Sequence, residues 1–248
     1  MKIGYTVTFH HSSDIRPNGK KVLVQNIESV YSSIKSEFYS YIIDNQSMPS
    51  SSFSEVIDIS AYSNMNYTYV KNQYEKGITG AWSMGISQAI ADGCDIVILT
   101  TDDVIIDTTI NNLIEYISND PKRENSIYGP VANGVTVPLQ SSKHPTNKII
   151  EIPGISSPYH LGGHMYAFTK EFYHRWKSEN GDLFIINNPY NGGDGKWGGN
   201  EGNVMYWAEQ GARCVIVGTC WIDHQLDTRY SYRIAKNKDK ELHGNSFN

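Results

Sequence analysis

Cysteine is scarce in this sequence. Cys94, Cys214 and Cys220 are the only three, an odd count with no CxxC spacing. Cys214 and Cys220 fall within one expected strand, where a bond between them would distort the backbone. A disulfide scaffold is therefore excluded, and a reducing, cytoplasmic compartment is expected. Long apolar runs are missing too. Stretches such as residues 96–99 fall far short of the roughly 20 residues that span a bilayer, so no transmembrane segment is expected. The opening "MKIGYTVTFHH" turns polar too early for a secretory signal, which leaves a cytoplasmic location, free or at a membrane surface. Positive charge is not in excess: 21 Lys and Arg face 26 Asp and Glu, for a net charge of −5. Phosphate backbones demand a clustered basic face, so no nucleic-acid partner is expected.

What is present describes a globular chain. The 248 residues are 39% hydrophobic and 19% charged, enough for one sizeable core. "KIGYTVTF" reads as a buried first strand. After the turn signal "RPNGK", Leu23, Ile27, Val30, Tyr31 and Ile34 recur at helical spacing. "YSYIIDNQS" reads as a second strand and "EVIDIS" as a short third. Ile78, Trp82, Gly85, Ile86 and Ala89 mark a helix that stops near Gly93, and "DIVILT" is a fourth strand. Asp107 or Thr108 can cap the next helix, whose apolar face is Ile110, Leu113, Ile114 and Ile117.

The second half is less regular. "GPVANGVTVPLQSSKHPTN" reads as a long loop or loose hairpin, and "HLGGHMYAFT" as a strand leading into the helix "KEFYHRWKSE". A helix from about Glu201 to Gln210 ends at Gly211, "RCVIVGT" is a further strand, and the tail after Asp227 is polar and basic. No repeat or linker separates two cores, so one domain over residues 1–248 is expected. Strands alternating with helices predict a mostly parallel sheet covered on both faces.

Ligands bind such sheets outside the carboxyl ends of the strands. His10, Asp44 and the pair Asp102–Asp103 all fall at expected carboxyl ends. The pair is the most informative. "ILTTDDVII" runs β-favouring residues into two adjacent carboxylates, which repel each other and are costly beside a core unless a cation or a polar ligand meets them. A metal or a nucleotide ribose would answer that need. The plainer reading is an acidic start to the next helix.

The order of these segments resembles the GT-A glycosyltransferases, and most closely family 2. The match rests on "YIIDNQS", then "GITGAWSMGISQAIADGCD", then "IVILTTDDV", and covers residues 2–118 better than the rest. It implies a Rossmann-like single-domain fold, with residues 1–118 as the nucleotide-sugar half, 119–228 as the acceptor and catalytic half, and 229–248 as the tail. Two departures stand out. The family's DxD is here "TDD", and its usual helix Asn is Ser83 or Met84.

The resemblance implies a donor carrying a nucleoside diphosphate, a glycan or other hydroxyl acceptor, and Mn2+ or Mg2+. Asp103 would bind the metal and Asp102 the ribose or sugar. Asp44 would accept a hydrogen bond from the base, with Thr6 and Thr8 lining its pocket; the plainer reading of Asp44 is an Asx turn in "DNQS". His224, in "TCWIDHQLD", would complete the metal site, with Asp223 as its competitor. Glu201 would be the base of an inverting reaction and Asp194 its reserve, because the family's Glu–Asp pair is broken here as "NEGN". Gly162 and Gly163 would let backbone approach the donor sugar. Gly192, Gly193, Gly195, Gly198, Gly199 and Gly202 fit a lid. Trp197, Trp221 and Tyr190 offer stacking surfaces, and Arg229, Arg233 and Lys236 could close over the diphosphate.

Other classes fit less well. A sugar nucleotidyltransferase needs a Gly-rich basic loop after the first strand, and "TFHHSSDIRPNGKK" has one Gly. A carbohydrate- or nucleotide-sugar-binding protein without catalysis differs only in lacking turnover. A zinc hydrolase would need an HxxxH-like spacing among His10, His11 and His224, which is absent.

Overall fold

The computed structural model describes residues 1–11, 17–45, 67–71, 77–133, 147–152, 161–184 and 201–225. Among these residues nine strands form one sheet: β1 (Ile3–Phe9), β2 (Phe38–Asp44), β3 (Tyr67–Lys71), β4 (Ile96–Thr101), β5 (Val104–Ile106), β6 (Ser126–Asn133), β7 (Ile149–Glu151), β8 (Met165–Thr169) and β9 (Arg213–His224). Their order is β3-β2-β1-β4-β8-β6-β9-β5, with β7 also paired to β9. The helices are α1 (Gly19–Ser33), α2 (Gly77–Ala91), α3 (Ile110–Asn119), α4 (Lys170–Asn180) and α5 (Glu201–Glu209). Strands β1 to β4 are mutually parallel, and β6 is parallel to β9. Strand β8 runs antiparallel between β4 and β6, and β5 and β7 run antiparallel to β9. The sheet is thus mostly parallel, as the strand–helix alternation predicts.

Strand alternation explains the two cores. Ile3, Tyr5, Val7 and Phe9 face one side of the sheet, against Leu23, Ile27 and Val30 of α1 and Leu113 and Ile117 of α3. On the other side Tyr41, Ile43, Val97 and Leu99 meet Trp82 and Ile86 of α2, Phe172 and Trp176 of α4, and Trp207 of α5. Gly85 lets α2 sit close to the sheet: a Cβ there would stand 2.1 Å from Thr6 Cγ2. Tyr31, expected on the buried stripe of α1, is 36% exposed, and its ring meets Phe38 edge-on instead.

Several elements depart from the sequence reading. The strand beside β2 is Tyr67–Lys71, whereas "EVIDIS" lies outside the described residues. The expected loop from residue 129 begins as part of β6, which pairs along β9 and is covered on both faces. Strand β9 continues past "RCVIVGT" to His224, with a register shift where Pro130 and Val131 pair with Val217 and Trp221. The N-cap position of α3 is Thr109, whose side chain makes no capping hydrogen bond, and Asp107 Oδ1 accepts hydrogen bonds from the Thr109 N–H (2.8 Å) and hydroxyl. No helix among the described residues is long and apolar enough to cross a membrane.

Candidate active site

Parallel register brings the strand ends level. Phe9 pairs with Asp44 and Thr8 with Thr101, so β1, β2 and β4 stop along one edge. Asp102 and Asp103 form the turn between β4 and β5. Three strand residues, and then Asp107, Thr108 and Thr109, separate the pair from α3, which removes the helix-start reading. The Asp102 N–H donates to Thr8 O (3.1 Å), tying the turn to β1, and Asp102 itself is 3% exposed.

Strand β5 then delivers a partner for Asp103. It pairs antiparallel with the end of β9, Val104 opposite His224. His224 Nε2 lies 3.3 Å from Asp103 Oδ2, and the Thr101 hydroxyl donates to Asp103 Oδ1 (2.6 Å). The Gln225 N–H donates to Asp103 O (2.9 Å). Asp223, the competitor, is exposed and accepts a bond from Asn133 Nδ2 (3.1 Å), as alternation along β9 requires. A second imidazole, His164, packs against His224 with ring centroids 5.5 Å apart. Its carbonyl accepts from the Thr100 hydroxyl (3.0 Å), which holds the end of β4 to the segment preceding β8.

Among the described residues no group of three or more His, Cys, Asp or Glu side chains is arranged to hold a metal ion. The pair still fits a divalent cation of the Mg2+ or Mn2+ class. Two ligands at right angles, each about 2.0–2.1 Å from such an ion, stand about 3 Å apart, and phosphate oxygens and water complete the shell. The separation of 3.3 Å is close to that. Carboxylate with imidazole is also a donor set that suits Mn2+.

Asp44 is 1% exposed at the end of β2, where Tyr69 donates its hydroxyl to Oδ2 (2.7 Å). The rest of "DNQS" beyond Asn45 lies outside the described residues. His10 Nδ1 is 2.8 Å from Asn45 O, so β1 and β2 are joined just past their ends. Thr8 and Thr6 are both buried on the α2 face, Thr6 beneath Gly85 and Thr8 two residues nearer the edge. Gly162 and Gly163 lead into β8 beside the acidic turn, since Thr100 pairs with Met165.

Glu201 is the first residue of α5, which Val204 and Trp207 seat in the core. Its side chain, Asp194, the lid glycines 192–199, Tyr190, Trp197, Arg229, Arg233 and Lys236 lie outside the described residues. Trp221 is half-buried, packs on the core and has its N–H bonded to Thr109 Oγ1 (2.8 Å). Asn26 was missed by the sequence reading. It stands on the apolar face of α1, three residues after Leu23 and four before Val30, and a polar residue at that phase was the available signal.

Solved structures share this architecture. The structure of GalNAc-T7 with UDP, GalNAc and Mn2+ superposes with a TM-score of 0.61 at 15% identity, covering 90% of this chain and 43% of that one. Residues 1–349 of Staphylococcus aureus TarS give 0.60 at 14%, covering 95% and 64%. Mannosyltransferase PcManGT from Pyrobaculum calidifontis, with GDP-Man and Mn2+, gives 0.58 at 14%, covering 88% and 56%. The chain therefore spans less than two thirds of each of these proteins. A search of curated proteins found no match. Residues 17–175, well over half of the chain, match the profile described as "Glycosyl transferase family 2", and the chain belongs to that family.

Proposed function

We propose that this protein is a metal-dependent glycosyltransferase that moves a sugar from a UDP- or GDP-sugar to a hydroxyl of a glycan or other acceptor, with inversion. The observation that carries the reading is the meeting of Asp103 and His224 at the carboxyl edge of the sheet, 3.3 Å apart on two different strands. The structural relatives add support, since GalNAc-T7 was solved with UDP and Mn2+ and PcManGT with GDP-Man and Mn2+.

In this reading Asp103 and His224 hold Mn2+ or Mg2+. When bound, the cation neutralises charge on the diphosphate and so improves the leaving group. Asp102 accepts a hydrogen bond from the ribose or the sugar. Asp44 receives the base beside Tyr69, with Thr8 at the pocket wall and Thr6 behind it. Gly162 and Gly163 allow the donor sugar to lie against backbone. Glu201 takes the proton from the acceptor hydroxyl as its oxygen attacks the anomeric carbon and the bond to the diphosphate oxygen breaks. Asp194 is the alternative base.

The test is donor hydrolysis without acceptor. UDP- and GDP-sugars incubated with the protein and Mn2+ are expected to release nucleoside diphosphate slowly, and to stop doing so on chelation. Donor binding without any release, with or without acceptors, would instead identify a binding protein.

A further inference from the structure

Helix α1 carries a polar seam on an otherwise apolar face. Asn26, Ser29 and Ser33 are spaced i, i+3, i+7 and project toward β5. One side of β5 pairs with β9. On the other side the seam takes the place of a strand. Asn26 Nδ2 donates to Val104 O (2.7 Å), Ser29 Oγ accepts from the Ile106 N–H (3.0 Å), and Ser33 Oγ donates to Ile106 O (3.3 Å).

Asn26 does more than satisfy this edge. It is completely buried, and its Nδ2 also lies 3.5 Å from Thr101 O. Thr101 and Val104 are the residues immediately before and after the Asp102–Asp103 turn. Val104 is in addition the residue paired with His224. One amide thus holds both ends of the acidic turn and the strand position that presents the histidine. The amide is itself oriented: its Oδ1 accepts from the Tyr5 hydroxyl (3.0 Å), and burial pushes that phenol well above its ordinary pKa, so it stays a donor. An apolar residue would extend the stripe of Leu23, Ile27 and Val30, but would leave a buried carbonyl without its donor.

We infer that Asn26 is a positioning residue for the metal pair, holding Asp103 and His224 at the spacing of two ligands to one ion. The inference rests on the metal role proposed above for those two side chains. The distinction from a purely structural amide is that metal affinity, and not only stability, depends on Asn26.

Titration of the full chain with Mn2+ in the presence of UDP or GDP, followed by electron paramagnetic resonance of free Mn2+ and paired with thermal melts, separates the two. Asn26→Ala is expected to keep the native circular dichroism and to bind Mn2+ about 10–100-fold more weakly, the usual cost of removing a group that orients a ligand. Ser33→Ala removes the far end of the seam and is expected to lower the melting temperature with Mn2+ affinity unchanged. If Asn26→Ala does not fold, Asn26→Ser carries the same expectation, because its polar group is too short to reach Val104 O. Mn2+ affinity equal to that of the unaltered chain in the folded variant overturns the inference. Absence of Mn2+ binding in the unaltered chain is a separate result, and it overturns the metal reading and this inference together.

Discussion

Asp120 is a buried acid at the far end of the sheet from the acidic turn, and it is fully engaged. Arg213, the Tyr128 hydroxyl (2.8 Å) and the Lys122 N–H (3.0 Å) all donate to its carboxylate. Burial alone would raise its pKa, but these donors outweigh burial and hold it below the ordinary carboxylate value. The stability this contributes is fully present above the unfolded pKa of about 3.9 and is lost as pH falls through the lower folded value. Asp120→Asn is therefore expected to cost about 3 kcal/mol at pH 7, the low end for breaking a buried pair, since Asn keeps one acceptor. Urea unfolding at pH 7 and pH 3 checks this, and the difference from the unaltered chain should shrink at the lower pH. At the site, Glu201→Gln keeps size and reach but cannot take a proton. Turnover should fall about 10²–10⁴-fold while metal-dependent donor binding is unchanged. Activity lost instead in Asp194→Asn would place the base in the Gly-rich segment. Legibility at this scale followed charge. Asp102 and Asp103 were readable because adjacent carboxylates at a strand end stand out against apolar neighbours, whereas His224 was named only through the family resemblance. Asn26 was not readable, because its role exists only once β5 lies beside α1.

Among the elements, α2 lies close against β1 at Gly85. Ala is a better helix former than Gly by about 1 kcal/mol, so Gly85→Ala would stabilise an isolated helix. In this protein the added Cβ would meet Thr6 Cγ2 at 2.1 Å. A net loss of about 1–3 kcal/mol is expected, the usual cost of overpacking. Thr6→Ser removes the opposing methyl and should recover part of that loss in the double variant, as read by denaturant unfolding. Helices were legible because α1, α2 and α3 repeat apolar residues over several turns. Strands β5 and β7 were not, since each has three residues and too few alternations to register as a pattern. Their existence depends on β9, whose 12 residues include a register shift that no local signal announces. The part of β6 from Gly129 onward was read as a loop or loose hairpin because Gly129, Pro130 and Asn133 are turn-favouring residues, yet both edges of the strand are occupied by β8 and β9.

For the whole molecule, the parallel half of the sheet and its two helical faces followed from alternation of strand and helix. The antiparallel insertion of β8 did not, because pairing between β4 and β8 joins residues far apart in sequence. That insertion places Gly162, Gly163 and His164 beside the acidic turn, while the reversal at β5 brings in His224. The carboxyl edge thereby gathers an acid pair and two imidazoles. The central claim is that this edge binds a nucleoside diphosphate through a divalent cation. Calorimetric titration with UDP and GDP, with Mn2+ and after chelation, tests it most directly when run on the unaltered chain and on Asp103→Ala. Binding that requires Mn2+ and disappears in a natively folded Asp103→Ala chain is the predicted result. Equal affinity after chelation, or undiminished binding by Asp103→Ala, would contradict it.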